Sequence, residues 1–234
     1  MKKSIYITLI FLLGCGNSEN EKKEIVKVEN QEIEFLQDTI LERNNPNSLD
    51  LTRHQIFIDT TRKSEFYESL INWKPDKYDI NPVETYIEEL NKVSKYKKVE
   101  FGNFPRLFVK INKLEDEFYL YDRCDGIDPR FELRDSAFIF YGPLESDAET
   151  IKKVTQINNK GIKLELNVFK VKTQTAFSNL EILKTEFKGI YLMKYKNENY
   201  DREVFLIPTT DIVKYDLVVN NCPNMKMDEY EPFY

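Results

Sequence analysis

The sequence predicts an α+β fold, with N-terminal helices packed on a curved antiparallel sheet or partly closed barrel of roughly 7–9 strands. Three observations carry this expectation. In the first 96 or so residues, apolar positions recur three or four apart, the spacing of one helix face. From Phe104 onward they recur every second residue, the spacing of one strand face. The alternating runs are separated by turn signals and not by helices, which favours antiparallel meanders.

Ile25, Val28, Ile33, Leu36 and Ile40 form the first stripe, over residues 24–43, and Asn44-Asn45-Pro46-Asn47-Ser48 ends it as a loop. A short strand follows at Gln55 to Asp59. Lys63 to Trp73 then places Phe66, Tyr67, Leu70 and Ile71 on one helical side. The clearest helix is predicted over 82–96. Asn81 suits the N-cap, Pro82 the first helical position, and Glu84 stands three after the cap. Val83, Tyr86, Ile87, Leu90 and Val93 form its apolar face; Glu84, Glu88, Glu89, Asn91 and Lys92 oppose them.

Leu107, Val109 and Ile111 begin the strand series, followed by Phe118 and Leu120. Ala137 to Tyr141 is wholly apolar. Ile162, Leu164, Leu166 and Val168 alternate with Lys163, Glu165 and Asn167, the pattern of a half-buried strand. Ile190 to Tyr195, Glu203 to Ile207 and Ile212 to Val219 continue the series. Gly142-Pro143, the run from Asn158 to Gly161, and the run from Lys196 to Asn199 are the turns. Ser146 to Ile157 carries two signals. Ser146 and Glu149 suit a capping box, but Thr150, Ile151, Val154, Thr155 and Ile157 tip it toward a strand.

The N-terminus has its own logic. Lys2 and Lys3 precede an apolar run from Ile5 to Leu13, and Leu12-Leu13-Gly14-Cys15 ends it. The run is too short to span a bilayer, which takes about 20 residues. This arrangement resembles a bacterial lipoprotein signal peptide with its lipobox. The resemblance covers residues 1–15 only. It implies cleavage before Cys15, a lipid on the Cys15 sulfur, and attachment to a membrane of the cell envelope. Gly16, where an Asp would favour the inner membrane, makes the outer membrane the expected destination. The organisation is then a signal peptide over 1–14, a polar tether over 15–24 and a single α+β domain over 25–234. Within the domain, 25–98 is helical, 99–222 β-rich and 223–234 a C-terminal tail.

Composition excludes several functions. Without Lys2 and Lys3 the chain carries 32 basic against 40 acidic residues, a formal charge of −8, and no basic block. A nucleic-acid partner needs a positive footprint, so none is expected. Glycines are too scattered for a phosphate-cradling loop. His54 is the only histidine, which rules out two-histidine metal motifs; no metal or other cofactor is expected. Cys15 being assigned to lipid, Cys124 and Cys222 remain, and an even remainder in an exported chain suggests a disulfide.

Three groups could carry chemistry. Asp122, Asp125 and Asp128 share a Gly-containing loop, but their spacing is not that of a calcium loop. Glu117, Asp122, Glu132 and Asp135 are the carboxylates to inspect for a glycosidase-type pair. Tyr119, Tyr121, Phe138, Phe140, Tyr141, Tyr191 and Tyr195 could line an apolar pocket or stack on sugars, or simply fill the core. No catalytic residue is singled out. The expected function is a noncatalytic binding or assembly module, anchored through Cys15, for an envelope protein or a small apolar ligand. The alternative is an anchored hydrolase acting on carbohydrate or cell wall through paired carboxylates.

Overall fold

The computed structural model describes residues 41–93, 98–126, 128–157, 160–167, 179–196, 201–224, 227 and 229–233. The signal peptide, Cys15, the tether and the helix expected over 24–43, save its last three residues, lie outside them. In chain order the elements are β1 (Arg43–Asn44), β2 (Gln55–Asp59), α1 (Glu65–Asn72), α2 (Lys77–Val93), β3 (Leu107–Lys110), β4 (Asn112–Leu114) and β5 (Glu117–Asp122). There follow β6 (Arg130–Leu133), β7 (Ala137–Tyr141), β8 (Ser146–Ile157), β9 (Gly161–Asn167), β10 (Asn179–Lys184), β11 (Tyr191–Lys196), β12 (Asp201–Pro208) and β13 (Asp216–Asn221).

Eight strands close an antiparallel barrel in the order β10-β11-β12-β3-β6-β7-β8-β9. The fold is α+β with a barrel, as the alternation of periods predicts. Inward positions are the alternating apolar residues: Phe108, Phe131, Leu133, Phe138, Ile162, Leu164, Leu166, Leu180, Ile182, Met193, Val204 and Leu206. The interior is thus a packed core and not a channel, and each fully buried aliphatic contributes about 1.5–3 kcal/mol. A register shift between Ile151 and Lys153 bends the twelve-residue β8, which helps the sheet curl.

The outer face explains the composition of each strand. β7 is apolar throughout because both its faces are dry: Phe138 and Phe140 point inward, while Ala137, Ile139 and Tyr141 lie under Val83, Tyr86 and Ile87 of α2. On β9 to β12 the outer face is wet and carries cross-strand pairs such as Lys163–Glu181 at 2.9 Å and Lys196–Asp201 at 2.7 Å. Such exposed pairs are worth at most about 1 kcal/mol each.

The remaining strands form a second sheet, β1-β2-β13-β5-β4. It is mixed: β1 runs parallel to β2, and β13 parallel to β5. This sheet is an addition to the barrel that the sequence predicts. One face of this sheet packs Phe57, Leu120, Leu217 and Val219 against Val109 and Ile207 on the outside of the barrel. α1 adds Tyr67, whose hydroxyl donates to the carbonyls of Ile212, at 3.0 Å, and of Tyr215. Burial pushes the Tyr67 phenol up to about 12.

Two boundaries also differ from expectation. α2 starts at Lys77, not 82. Asp76 accepts from the amides of Tyr78 (2.6 Å) and Asp79 (3.2 Å), and Asp79 reaches back to the Asp76 amide at 3.0 Å, a reciprocal capping box. Pro82 therefore lies inside the helix. The strand expected over Ile212 to Val219 is split: Thr209–Lys214 is a 3-10 turn, and only from Asp216 does the chain extend.

Candidate functional site

Chemistry concentrates in two places. The first is a buried charge cluster where the β5–β6 loop meets the C-terminal tail. The tail crosses the outer face of the second sheet, seating Phe233 and Tyr230 on Tyr121, Ile58 and Val218. Glu229 anchors it, accepting from the Tyr121 hydroxyl at 2.6 Å and from the amides of Cys124 (3.3 Å) and Asp125 (3.1 Å). The Tyr121 phenol is raised by its burial and by that bond. Cys124 and Cys222, 98 residues apart, stand at bridging distance with Cα atoms 5.4 Å apart, pinning the loop to the start of the tail.

Beneath the tail lie Asp122 and Asp128. Burial, then the neighbouring Asp128 and Glu229 charges, push the Asp122 carboxyl up to about 7. Burial likewise pushes Asp128 up to about 6 against the pull of Lys110 and Arg123. Those cations stand off: Lys110 Nζ is 4.0 Å and Arg123 Nη1 3.9 Å from Asp128 Oδ1, with the Asn112 amide beside it. Burial lowers Lys110, which donates instead to the Phe233 carbonyl at 2.8 Å. Arg130, lowered by burial to about 10 and so still charged at neutral pH, donates to the Leu70 carbonyl at 2.7 Å and lies over Trp73. Acids and bases mix in this cluster, with Asp122 beside two other acids, and the tail covers it. Its geometry is that of a polar lock between loop, tail and barrel.

The second place is one end of the barrel. The segment before β3 crosses that end, held by the Val99 amide on the Asp135 carbonyl (2.7 Å) and the Leu133 amide on the Arg106 carbonyl (2.7 Å). Phe101 is buried there beneath the Arg106 guanidinium. Phe104 meets the Tyr191 ring edge-on at 5.5 Å, and Tyr191 meets Phe108 at 5.4 Å. Between this segment and the ends of β8 to β11 lies a hollow of about 290 Å3. Phe101, Phe104, Pro105 and Tyr191 give it apolar walls; Asn103, Gln156 and Lys184 stand at its rim.

The sequence candidates fall out as follows. Glu117 is bound to Arg43 and to the Tyr119 hydroxyl. Glu132 accepts from Tyr141 at 2.6 Å and pairs with Arg134 at 3.0 Å. Asp135 pairs with Arg106 at 3.3 Å. Asp122 lies in the cluster under the tail, so the four nominated acids face four different surroundings. Asp122, Asp125 and Asp128 do not gather as ligands: among the described residues no group of three or more His, Cys, Asp or Glu is placed to hold a metal ion. His54 Nε2 is 2.8 Å from Asn220 Oδ1, an acceptor only, so that nitrogen carries the proton and the histidine is structural. The seven aromatics divide among three cores: Phe138, Phe140, Tyr191 and Tyr195 with the barrel, Tyr141 under α2, Tyr119 and Tyr121 under the tail. Only Tyr191 reaches the hollow. Asn103, Gln156 and Lys184 were not among the sequence candidates; the one local hint was the turn-forming Gly102-Asn103-Phe104-Pro105 ahead of the first barrel strand.

Among the described residues no helix is long and apolar enough to cross a membrane. No protein-family model, no curated protein and no solved structure matches the chain.

Proposed function

We propose that this chain is a lipid-anchored protein of the cell envelope whose barrel domain is a noncatalytic binding module. The observation that carries the binding reading is the chemistry of the barrel-end hollow. Among the described residues its lining holds three aromatic rings, two amides and one ammonium, and no carboxylate, histidine, hydroxyl of Ser or Thr, or thiol. Such a set can hold a ligand, while hydrolysis needs an acid, a base or a nucleophile. The hydrolase alternative loses ground because Glu117, Glu132 and Asp135 are each paired with an arginine and Asp122 lies buried in the cluster under the tail. The anchor rests on Lys2-Lys3, the run to Leu13 and Cys15. The Cys124–Cys222 pair supports export, because such bridges persist in oxidising compartments.

The anchor is tested by fractionation of cells producing the full chain or its Cys15→Ser variant. The wild type should sediment with membranes and leave them only in detergent, and the variant should lose that behaviour. Equal partition of the two would refute the anchor. Purified full-length protein should release no soluble sugar or peptide from cell-wall material; sustained release abolished by Asp122→Asn or Glu132→Gln would favour the hydrolase.

A further inference from the structure

We propose that the hollow at the barrel end binds a small organic anion, a molecule of one or two rings carrying a carboxylate. This names the ligand class of the binding module above, and it rests on that reading but not on the lipid anchor.

Size comes first. At about 290 Å3 the hollow lies at the lower edge of small-molecule pockets, about 300–1,000 Å3, and it occupies a place where β-barrels commonly take ligands. It suits a compact ring system and not a chain of sugars or a peptide segment. Its apolar walls come next. Phe104 and Tyr191 stand edge to face at 5.5 Å, and Pro105 continues the surface, so a flat ring has aromatic faces and edges to pack on.

Charge decides the rest. The chain has 40 acidic and 34 basic residues, yet among the described residues the lining contains one cation and no acid. Lys184 has no carboxylate within 4.0 Å among the described residues, whereas the neighbouring strands' Lys163, Lys194 and Lys196 are each paired across the sheet. The side-chain amides of Asn103 and Gln156 have no protein hydrogen-bond partner among the described residues. The hydroxyl of Tyr191, a residue only 8 % exposed, has no such partner either, although burial and then the nearby Asp211 carboxylate raise it. Asn103, Gln156 and Lys184 are solvent-exposed and hydrated when no ligand is bound, and a ligand that displaces that water must give the Lys184 ammonium an acceptor. A carboxylate does so and also meets the Lys184 charge. Elsewhere the protein spends its buried hydroxyls: Tyr67, Tyr121 and Tyr141 all have acceptors within the fold.

The test uses detergent-purified full-length protein and two probes of equal shape, indole-3-acetate and indole-3-acetamide, measured by isothermal titration calorimetry. The acetate should bind more tightly than the amide. Lys184→Gln, at an exposed strand-end position, should weaken the acetate about tenfold and leave the amide unchanged; a tenfold loss is about 1.4 kcal/mol. Tyr191→Leu should weaken both. If both probes bind equally and Lys184→Gln changes neither, the hollow is a ligand site but the anion class is wrong. If neither binds at millimolar concentration, the hollow is not a ligand site, and the binding reading loses the observation that carries it.

Discussion

Asp122→Asn should stabilise this protein at neutral pH and not at acid pH. Asp122 ends β5 under the tail, and its carboxyl is raised from the ordinary 3.8 to about 7, first by burial and then by Asp128 and Glu229. The folded state therefore holds a proton that the unfolded chain releases above about pH 4. Below that value both states carry it, and the full stability is present. Between about pH 4 and 7 the unfolded chain is ionised while the folded carboxyl keeps its proton, so stability falls across that window and levels off above the folded value near 7. A shift of about three pH units corresponds to about 4 kcal/mol, and partial solvent access at the strand end reduces the expected loss to about 2–4 kcal/mol. Asn mimics the neutral acid in size and shape. Urea unfolding of wild type and variant from pH 4 to 8 should give stabilities within about 0.5 kcal/mol at pH 4. At pH 7.5 the variant should be the more stable by about 2–4 kcal/mol. Parallel profiles across that range, or a variant weaker at pH 7.5, would refute the assignment of the raised acid to Asp122.

Other perturbations test other parts of the fold. Reducing the Cys124–Cys222 bridge opens a loop of 98 residues and should cost about 4–5 kcal/mol on the chain-entropy model, read as a fall in the urea midpoint. Gly161→Ala would place a Cβ 2.1 Å from the Ile182 carbonyl oxygen and 2.8 Å from Leu183 Cα. Both are backbone atoms of the paired strand, so the change should cost about 3 kcal/mol or prevent folding, as a thermal melt would show. Asp76→Ala should cost about 1 kcal/mol through loss of the α2 cap, while Asn81→Ala should be nearly silent; the reverse order would restore the helix start read from Asn81 and Pro82.

What the sequence could reveal depended on whether one element or several decided the outcome. β9 was legible because Ile162, Leu164 and Leu166 face a dry interior while Lys163 and Glu165 face water, so a single strand's own pattern records its place. β8 was legible for the same reason, its β-branched run outweighing the Ser146–Glu149 capping signal. The second sheet was not. β13 lies parallel to β5, and no local period distinguishes that partner from an antiparallel one. The start of α2 is not legible because two caps compete within six residues. Asp76 and Asp79 satisfy each other's amides, and that box prevails although it leaves Pro82 in the helix interior. The hollow is assembled from positions 101–105, 156, 161, 184 and 191, which the barrel closure alone brings together. Tyr191 stood out as an aromatic on a strand. Lys184 reads like any exposed lysine, because nothing in its local sequence places it in the lining.

We propose that this barrel is held at a membrane through Cys15, and mass spectrometry of the N-terminal peptide, from protein purified out of the producing cell's membranes, tests it. The expected peptide begins at Cys15 and carries diacylglycerol on its sulfur. A peptide still containing residues 1–14, or one with an unmodified Cys15 thiol, would contradict it.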